Sequence, residues 1–480
     1  MNKISFQTSH AFYIVGMAFY WTVPRRSYFQ YLFSLADSSS VDQHLLYAFY
    51  LFGIVLLALV AVFLNNGVLQ AISRRKTWTA VLAAAGTLGG LCVYVSPNAG
   101  SVGPFLAIGG IIGCAASFVC LTFAWGFEAL KLPGKKMLLY SVVAFLFSFV
   151  LLTTSSLPDP IPAFLPVSAP LISGLCWFMA ARYRAKDIPL RFSTESSLAS
   201  LNKAPLGMIA VLVLALLVGG TIRGFIYPGT FSDEPVLGPI EINTVSVLFS
   251  VILCLAIVVS THREKLLYSI WIGLIVVFLA GLLFMSALNS EWGVYGRAII
   301  IIARSYLSFF LWIALLGSVQ TTRTSPVVLL GSFFLIPEVI AWLLSYFAVP
   351  SFVSVTQATF DENAGLFSII GSLLIVIASL IFLRNKAFDA DGKPGYEFED
   401  DVRKRTVQQI GKDYGLTDRE TEIMLFVSQG NSAKKIADMA YLSTGTVQTH
   451  IKKIYQKLEI HTKQELIDLV SEGMLHHSRK

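Results

Sequence analysis

Apolar stretches of about 20 residues, the length a helix needs to cross a bilayer's hydrocarbon core, recur twelve times before residue 386. They fall near 8–33, 41–64, 77–96, 102–126, 137–157, 161–181, 205–227, 241–260, 266–288, 297–320, 325–349 and 364–383. Lipid offers no hydrogen bonds to a bare backbone, so a span must satisfy its own polar groups, and separate apolar runs of this length do so as helices. Charge follows the same division. Residues 1–386 hold 22 Lys+Arg and 14 Asp+Glu, whereas the far shorter 402–480 holds 13 and 9. Only 14% of the whole chain is charged, against about 25% for soluble proteins, which excludes a cytosolic globular enzyme. The expectation is an all-α chain: a polytopic membrane region over 1–386, a linker over 387–411 and a water-soluble domain over 412–477.

Positive charge collects on alternate connections, at Arg74-Arg75-Lys76, Lys131 with Lys135 and Lys136, Arg182 to Lys203, Arg263 with Lys265, Arg323, and Arg384 with Lys386. The intervening connections carry Asp159, Asp233-Glu234, Glu291 and Asp361-Glu362. Cytoplasmic loops are the ones enriched in Lys and Arg, so both termini are expected in the cytoplasm. Arg25 and Arg26 fall on the opposite side unless they cap a short first helix. Trp21, Trp78, Trp125, Trp177 and Trp292 fall near span ends, where an interfacial aromatic belt would sit. The five cysteines lie in apolar runs without paired spacing and read as small buried hydrophobes. No phosphate-cradling loop, zinc-ligand pair or paired catalytic carboxylates stands in a fitting context, so neither cofactor, metal nor catalytic site is expected.

Ionisable residues inside spans are costly and mark candidate sites. Glu338 follows Pro337 in the middle of the eleventh span, Arg304 lies inside the tenth, Arg297 at its start and Arg223 near the end of the seventh. One reading is a cavity binding a polar or charged small molecule; the other is a structural ion pair, with Arg223 and Arg297 snorkelling to the interface.

In the tail, Tyr396–Tyr414 can form a helix with Val402, Gln409, Ile410 and Tyr414 towards the domain. Thr417 and Glu420 have capping-box spacing and open a helix that Gly430 ends. Ser432 caps a short second helix, Leu442 turns the chain, and Ser443 or Thr444 caps a third with the inward stripe Val447, Ile451, Ile454 and Leu458. Thr462 and Glu465 open a fourth. A short helix, a tight turn and a four-turn helix make a helix-turn-helix. Elimination leaves Gln448, Thr449 and Lys452 outward as one patch able to read base edges in a major groove. Lys434, Lys435, Thr444, Thr446, His450, Lys453 and Lys457 surround it as candidate phosphate contacts. A plain amphipathic bundle with a solvated basic face would show the same pattern.

Residues 416–470, from Leu416-Thr417-Asp418-Arg419-Glu420 through Gly430, Ile436-Ala437, Leu442-Ser443, Thr446-Val447, His450, Ile454-Tyr455, Lys457-Leu458 and Glu465-Leu466, resemble the LuxR-type DNA-binding domain. The resemblance implies base reading by the third helix. It also implies a homodimer on a two-fold DNA site, paired through the fourth helix at Leu466, Ile467 and Val470. Gln448, Lys453, Glu459 and Lys463 stand where that family often has Lys, Asn, Gly and Arg.

The longest internal cytoplasmic connection, about 182–204, divides the spans six and six, which resembles the major facilitator superfamily of transporters. Gly67 to Lys76 keeps that family's first Gly and basic cluster, but Ala71 and Ser73 replace its acidic residue and second Gly. Together the two resemblances imply a membrane-bound one-component transcriptional regulator whose bundle, surrounded by lipid, senses a small molecule. A transporter with a regulatory tail is the alternative, and a ligand-free anchor the third reading.

Overall fold

The computed structural model describes residues 8–23, 42–65, 67–68, 76–132, 134–157, 161–183, 206–226, 239–259, 263–287, 290–322, 324–356, 360–387, 399–440 and 442–477. They form two compact units, Met1–Phe382 and Leu383–Lys480.

The first unit is a bundle of apolar helices. They are α1 (Thr8–Thr22), α2 (Gln43–Phe63), α3 (Lys76–Val95), α4 (Gly103–Leu130), α5 (Gly134–Leu152) and α6 (Ile161–Arg182). The second half holds α7 (Leu206–Ile226), α8 (Pro239–Val259), α9 (Arg263–Ala287), α10 (Ser290–Thr322), α11 (Pro326–Thr356) and α12 (Phe360–Ala387). Each coincides with one of the twelve apolar stretches. Five described segments are long and apolar enough to cross a membrane: Gln43–Phe63, Thr79–Asn98, Gly100–Leu130, Ala298–Val319 and Pro326–Thr356. Six more apolar segments have described lengths of 10–17 residues. Leu248, Leu255, Ile369, Leu373 and Leu380 are more than half exposed on α8 and α12. In water such contiguous apolar faces would aggregate; against lipid they are at home. Arg25 and Arg26 lie outside the described residues.

Inside the bundle, close packing replaces the hydrophobic effect as the cohesive term. A Cβ at Gly89 would stand 2.3 Å from the Gly110 carbonyl oxygen, and one at Gly110 would stand 2.5 Å from that of Gly89. The α3–α4 contact therefore tolerates no side chain at either position. Polar groups are paired across helices: Trp125 Nε1 donates to Ser173 Oγ at 2.9 Å, which donates to the Gly16 carbonyl at 2.9 Å. Trp177 Nε1 donates to the Ala124 carbonyl at 2.9 Å. These bonds correct the expectation of an aromatic belt. Trp21, Trp125 and Trp177 are all at most 2% exposed and face the bundle interior, because the buried faces of α1, α4 and α6 reach their ends. The side chains of Trp78 and Trp292 lie outside the described residues. Trp21 packs edge-on against Phe145, Phe309, Trp312 and Phe334, joining α1 and α5 to α10 and α11.

The second unit contains α13 (Glu399–Asp413), α14 (Asp418–Ser428), α15 (Ala433–Ala440), α16 (Thr444–Leu458) and α17 (Lys463–His477). Its core joins Ile423, Met424, Val427, Ile436, Val447, Ile454 and Leu458 to Leu466 and Val470 of α17 and to Val407 and Ile410 of α13. Residues 399–411 are thus part of the folded domain rather than linker. Val407 and Ile410, three apart, put both apolar side chains on one face of α13, and burying that face outweighs leaving it in water. Gln409 and Tyr414, expected to face the domain, are exposed; the side chain of Val402 lies outside the described residues.

Candidate functional site

The membrane unit brings its candidate charges together through an irregular α11. Pro337 has no N–H to give the preceding turn, and the helix widens to π geometry at Gly331–Leu335 and again at Leu344–Ala348. Between these turns Glu338 is 4% exposed. Ser308 of α10 donates to its Oε1, and Arg304, one turn away on the same face, places Nη2 3.5 Å from Oε2. Arg223 of α7 is 7% exposed, donates from Nη1 to Ser345 Oγ at 2.7 Å, and lies 4.0 Å from the centre of the Tyr346 ring. It does not snorkel: its partners are on α11, inside the bundle. The side chain of Arg297 lies outside the described residues. Sequence reasoning missed the aromatic side of this cluster. Tyr47 of α2 packs on Tyr346 at 4.7 Å, and its hydroxyl lies in the fields of Arg223, Arg304 and Glu338. It also missed Asn65, whose Oδ1 accepts from Ser325, the N-cap of α11, at 2.5 Å.

The tail is built by its caps. Thr417 and Glu420 form the full reciprocal capping box of α14. Ser432 Oγ accepts from Lys435 N at 3.3 Å, and Ser443 Oγ, the N-cap of α16, accepts from Thr446 N at 3.1 Å. At α17 the box reaches one residue further back. Thr462 Oγ1 accepts from Glu465 N at 3.1 Å, while Glu465 accepts from His461 N at 2.8 Å. Helix α16 ends at Glu459 with φ 55° and ψ 38°. This left-handed conformation costs a side-chain-bearing residue about 1–2 kcal/mol, which gives the family's glycine there its physical reason.

Val447, Ile454 and Leu458 bury one face of α16. Gln448, Thr449, Lys452 and Lys453 are exposed together on the other, with Thr444 and Thr446 exposed at its start and Lys435 exposed on α15. His450 is only partly exposed, and its Nδ1 is buried. The side chain of Lys434 lies outside the described residues.

Lys457 requires a correction. Its ammonium donates to Glu420 Oε2 at 2.8 Å and to the Gly415 carbonyl at 2.9 Å, so it is engaged within the domain rather than turned towards phosphate. Three further cations are engaged in the same way. Arg403 Nη1 donates to Ser428 O at 2.8 Å, Arg419 Nη2 to Ala440 O at 2.6 Å, and Lys463 Nζ to Gly430 O and Asn431 O at 2.8 and 2.9 Å. They close the ends of α14 and α15. A second correction concerns dimerisation. Leu466 and Val470 are 0% and 1% exposed within their own domain, so they cannot pair two tails; Ile467 is partly exposed.

The hydrogen bond from Lys457, helped by those from Thr417, holds the Glu420 carboxyl below the usual carboxylate range. A glutamate in the unfolded chain titrates near about 4.3. The pair's contribution is therefore complete above that pH and is lost as pH falls through the lower folded value. Urea unfolding of residues 399–480 should show wild type more stable than Glu420→Gln at pH 7, with the difference shrinking below about pH 4. A pH-independent difference would remove the ion pair from the account.

Comparison with known proteins agrees with both units. The model of bacterial regulatory proteins of the luxR family matches residues 414–470. The uncharacterized response regulatory protein YgeK of Escherichia coli (strain K12) is 36% identical over 86 residues, covering 17% of this chain and 58% of that protein. The response regulator protein VraR of Staphylococcus saprophyticus is 33% identical over 66 residues, 14% of this chain and 32% of the relative. The chain thus spans little more than half the length of the first relative and about a third of the second. In structure, the chain is similar to FucP, a Major Facilitator Superfamily transporter, in the outward conformation. The TM-score is 0.53 at 14% identity, over 78% of this chain and 99% of that one. A second structure, of the E. coli fucose:proton symporter FucP, gives 0.50 at 16% identity over 78% and 98%. One chain therefore joins a multi-pass membrane bundle of the major facilitator fold to a C-terminal helix-turn-helix domain of the luxR family of bacterial regulatory proteins.

Proposed function

We propose that the chain is a membrane-bound one-component transcriptional regulator of the bacterial inner membrane, with both termini cytoplasmic. A ligand in the bundle biases its conformational equilibrium, and that bias controls whether two tails occupy a two-fold DNA site. The observation that carries this reading is the exposed patch Gln448, Thr449 and Lys452 on the outer face of a helix-turn-helix whose inner side buries Val447, Ile454 and Leu458. Lys435, Lys453, Thr444, Thr446 and His450 are assigned to phosphate or positioning contacts.

The tail has its own core, so residues 399–480 can be tested alone. Fragments selected from genomic DNA should be retained with an affinity that falls steeply with salt. Gln448→Ala or Lys452→Ala should lose about 1–3 kcal/mol at one base position, whereas Lys435→Ala should weaken all sequences alike. Retention of no fragment, or a uniform loss for Gln448→Ala, would sink the assignment. The fold shared with FucP favours one second reading, a transporter carrying this tail. Solute uptake into vesicles that Glu338→Gln abolishes would establish it in place of the sensor.

A further inference from the structure

Two cations hold the turn that joins α14 to α15. Ser428 is the last residue of α14, so its carbonyl has no partner within the helix. Arg403 of α13 donates to that carbonyl from Nη1 at 2.8 Å, and Lys463 of α17 donates from Nζ to those of Gly430 and Asn431 at 2.8 and 2.9 Å. Charged donors make the stronger hydrogen bonds. Helix α15 begins at Ala433 and shares its buried core with α16, so this turn sets how the two helices are presented together. Close contacts seat α13. A Cβ at Gly411 would stand 2.6 Å from Thr421 Oγ1 of α14, and one at Gly473 of α17 would stand 2.6 Å from Thr406 Cγ2. Yet among the described residues α13 gives only Val407 and Ile410 to the buried core, while Lys404, Gln408, Gln409 and Lys412 are exposed. An end helix with so little buried apolar surface is the part of a domain that opens first. It is also the first helix of the tail, so a displacement passed along the chain from α12 enters the domain through α13.

We propose that Arg403 is a positioning residue for DNA recognition, and that α13 is the clasp that carries it. Docked, α13 sets Arg403 on the Ser428 carbonyl and fixes the α14–α15 turn in the form that presents α15 and α16 to DNA. Undocked, it releases that turn. Arg403 itself touches no DNA. The inference rests on the reading of the chain as a membrane-bound regulator, and names the step by which the bundle reaches the DNA-binding helices.

The clasp is tested first without DNA, by hydrogen exchange on the full chain in lipid nanodiscs. Amides of α13 should exchange at least tenfold faster than those of α16. Arg403→Met should speed residues 429–433 at least tenfold and leave α16 unchanged. In Thr406→Cys/Gly473→Cys the two β-carbons lie within about 4 Å, a disulfide distance. Oxidation by diamide should slow α13 to the rate of α16, and dithiothreitol should reverse it. One shared rate for α13 and α16 in wild type, or equal acceleration of α16 by Arg403→Met, would overturn the proposal. Binding is then read with the DNA fragment that residues 399–480 retain most tightly. Arg403→Met should weaken it at least tenfold with an unchanged salt slope, since no phosphate contact is lost. Arg403→Lys keeps a cationic donor and should recover most of that loss. The oxidised cysteine pair should bind as tightly as wild type or more tightly. A salt slope reduced by about one would make Arg403 a phosphate contact instead. Unchanged affinity in Arg403→Met, or loss of binding on oxidation, would likewise overturn the clasp. Separate opening of α13 in a chain that retains no DNA fragment would overturn the regulator reading alone.

Discussion

Glu338→Leu is expected to cost the membrane bundle about 3–5 kcal/mol, the range for removing one partner from a buried ion pair. Glu338 is 4% exposed, accepts from Ser308 and lies 3.5 Å from Arg304. Leucine would leave Arg304 without the carboxylate that faces it. The double variant Glu338→Leu/Arg304→Met tests the cause. It removes the cation left without its carboxylate and fills similar volume with apolar atoms, so much of the loss should be recovered. Such recovery is the behaviour of buried pairs generally, where breaking the pair costs far more than replacing it. Thermal midpoints of the purified full chain, read by loss of the monodisperse peak on heating, measure both. Equal losses in the single and double variants would show that packing around position 338, not charge, sets the effect.

The two units were legible to different depths. Span positions follow from run length alone, because an apolar run of about 20 residues has few alternatives in lipid, and the twelve helices lie where those runs lie. The partners of Glu338 were half legible. Its rarity marked it, and Arg304 on the neighbouring span was the evident candidate, but Tyr47 and Tyr346 carry no distinguishing signal among 18 tyrosines. Tryptophans near helix ends were misread, since sequence position along a helix says nothing of the direction in which a side chain points. In the tail, capping boxes and the inward stripe of α16 are local patterns, and local patterns are where sequence reasoning is strongest. Lys457 failed for the opposite reason, and Lys463, to which no contact was assigned, is held in the same way. Their partners lie 37 and about 33 residues away, and only the folded helix-turn-helix brings the carboxylate and carbonyl oxygens within reach. A cation on a basic helix looks the same from sequence whether it faces phosphate or closes a turn.

The same limit applies to α17, and Leu466→Ala exposes it. If Leu466 paired two tails, its loss would weaken dimerisation and leave the monomer intact. The structure instead places Leu466 at 0% exposure in the one apolar core that also holds Val470 and, from α13, Val407 and Ile410. Large-to-small changes at such sites cost about 2–5 kcal/mol, a transfer term plus the cavity left behind. The upper part of that range is expected here. The cavity would open in the core that α17 shares with α13, and along the same pair of helices a Cβ at Gly473 would already stand 2.6 Å from Thr406 Cγ2. Helices meeting that closely have little freedom to slide together over the gap. Residues 399–480 carrying Leu466→Ala should therefore show a lower urea midpoint by circular dichroism, at protein concentrations low enough for a monomer. Ile467→Ala, at a partly exposed position, should shift it by under about 1 kcal/mol. The fragment 412–480, which lacks nearly all of α13, should lose stability as Leu466→Ala does, because both remove side chains from the same core. An unchanged midpoint for Leu466→Ala, with a weakened dimer, would return this residue to the surface between two tails.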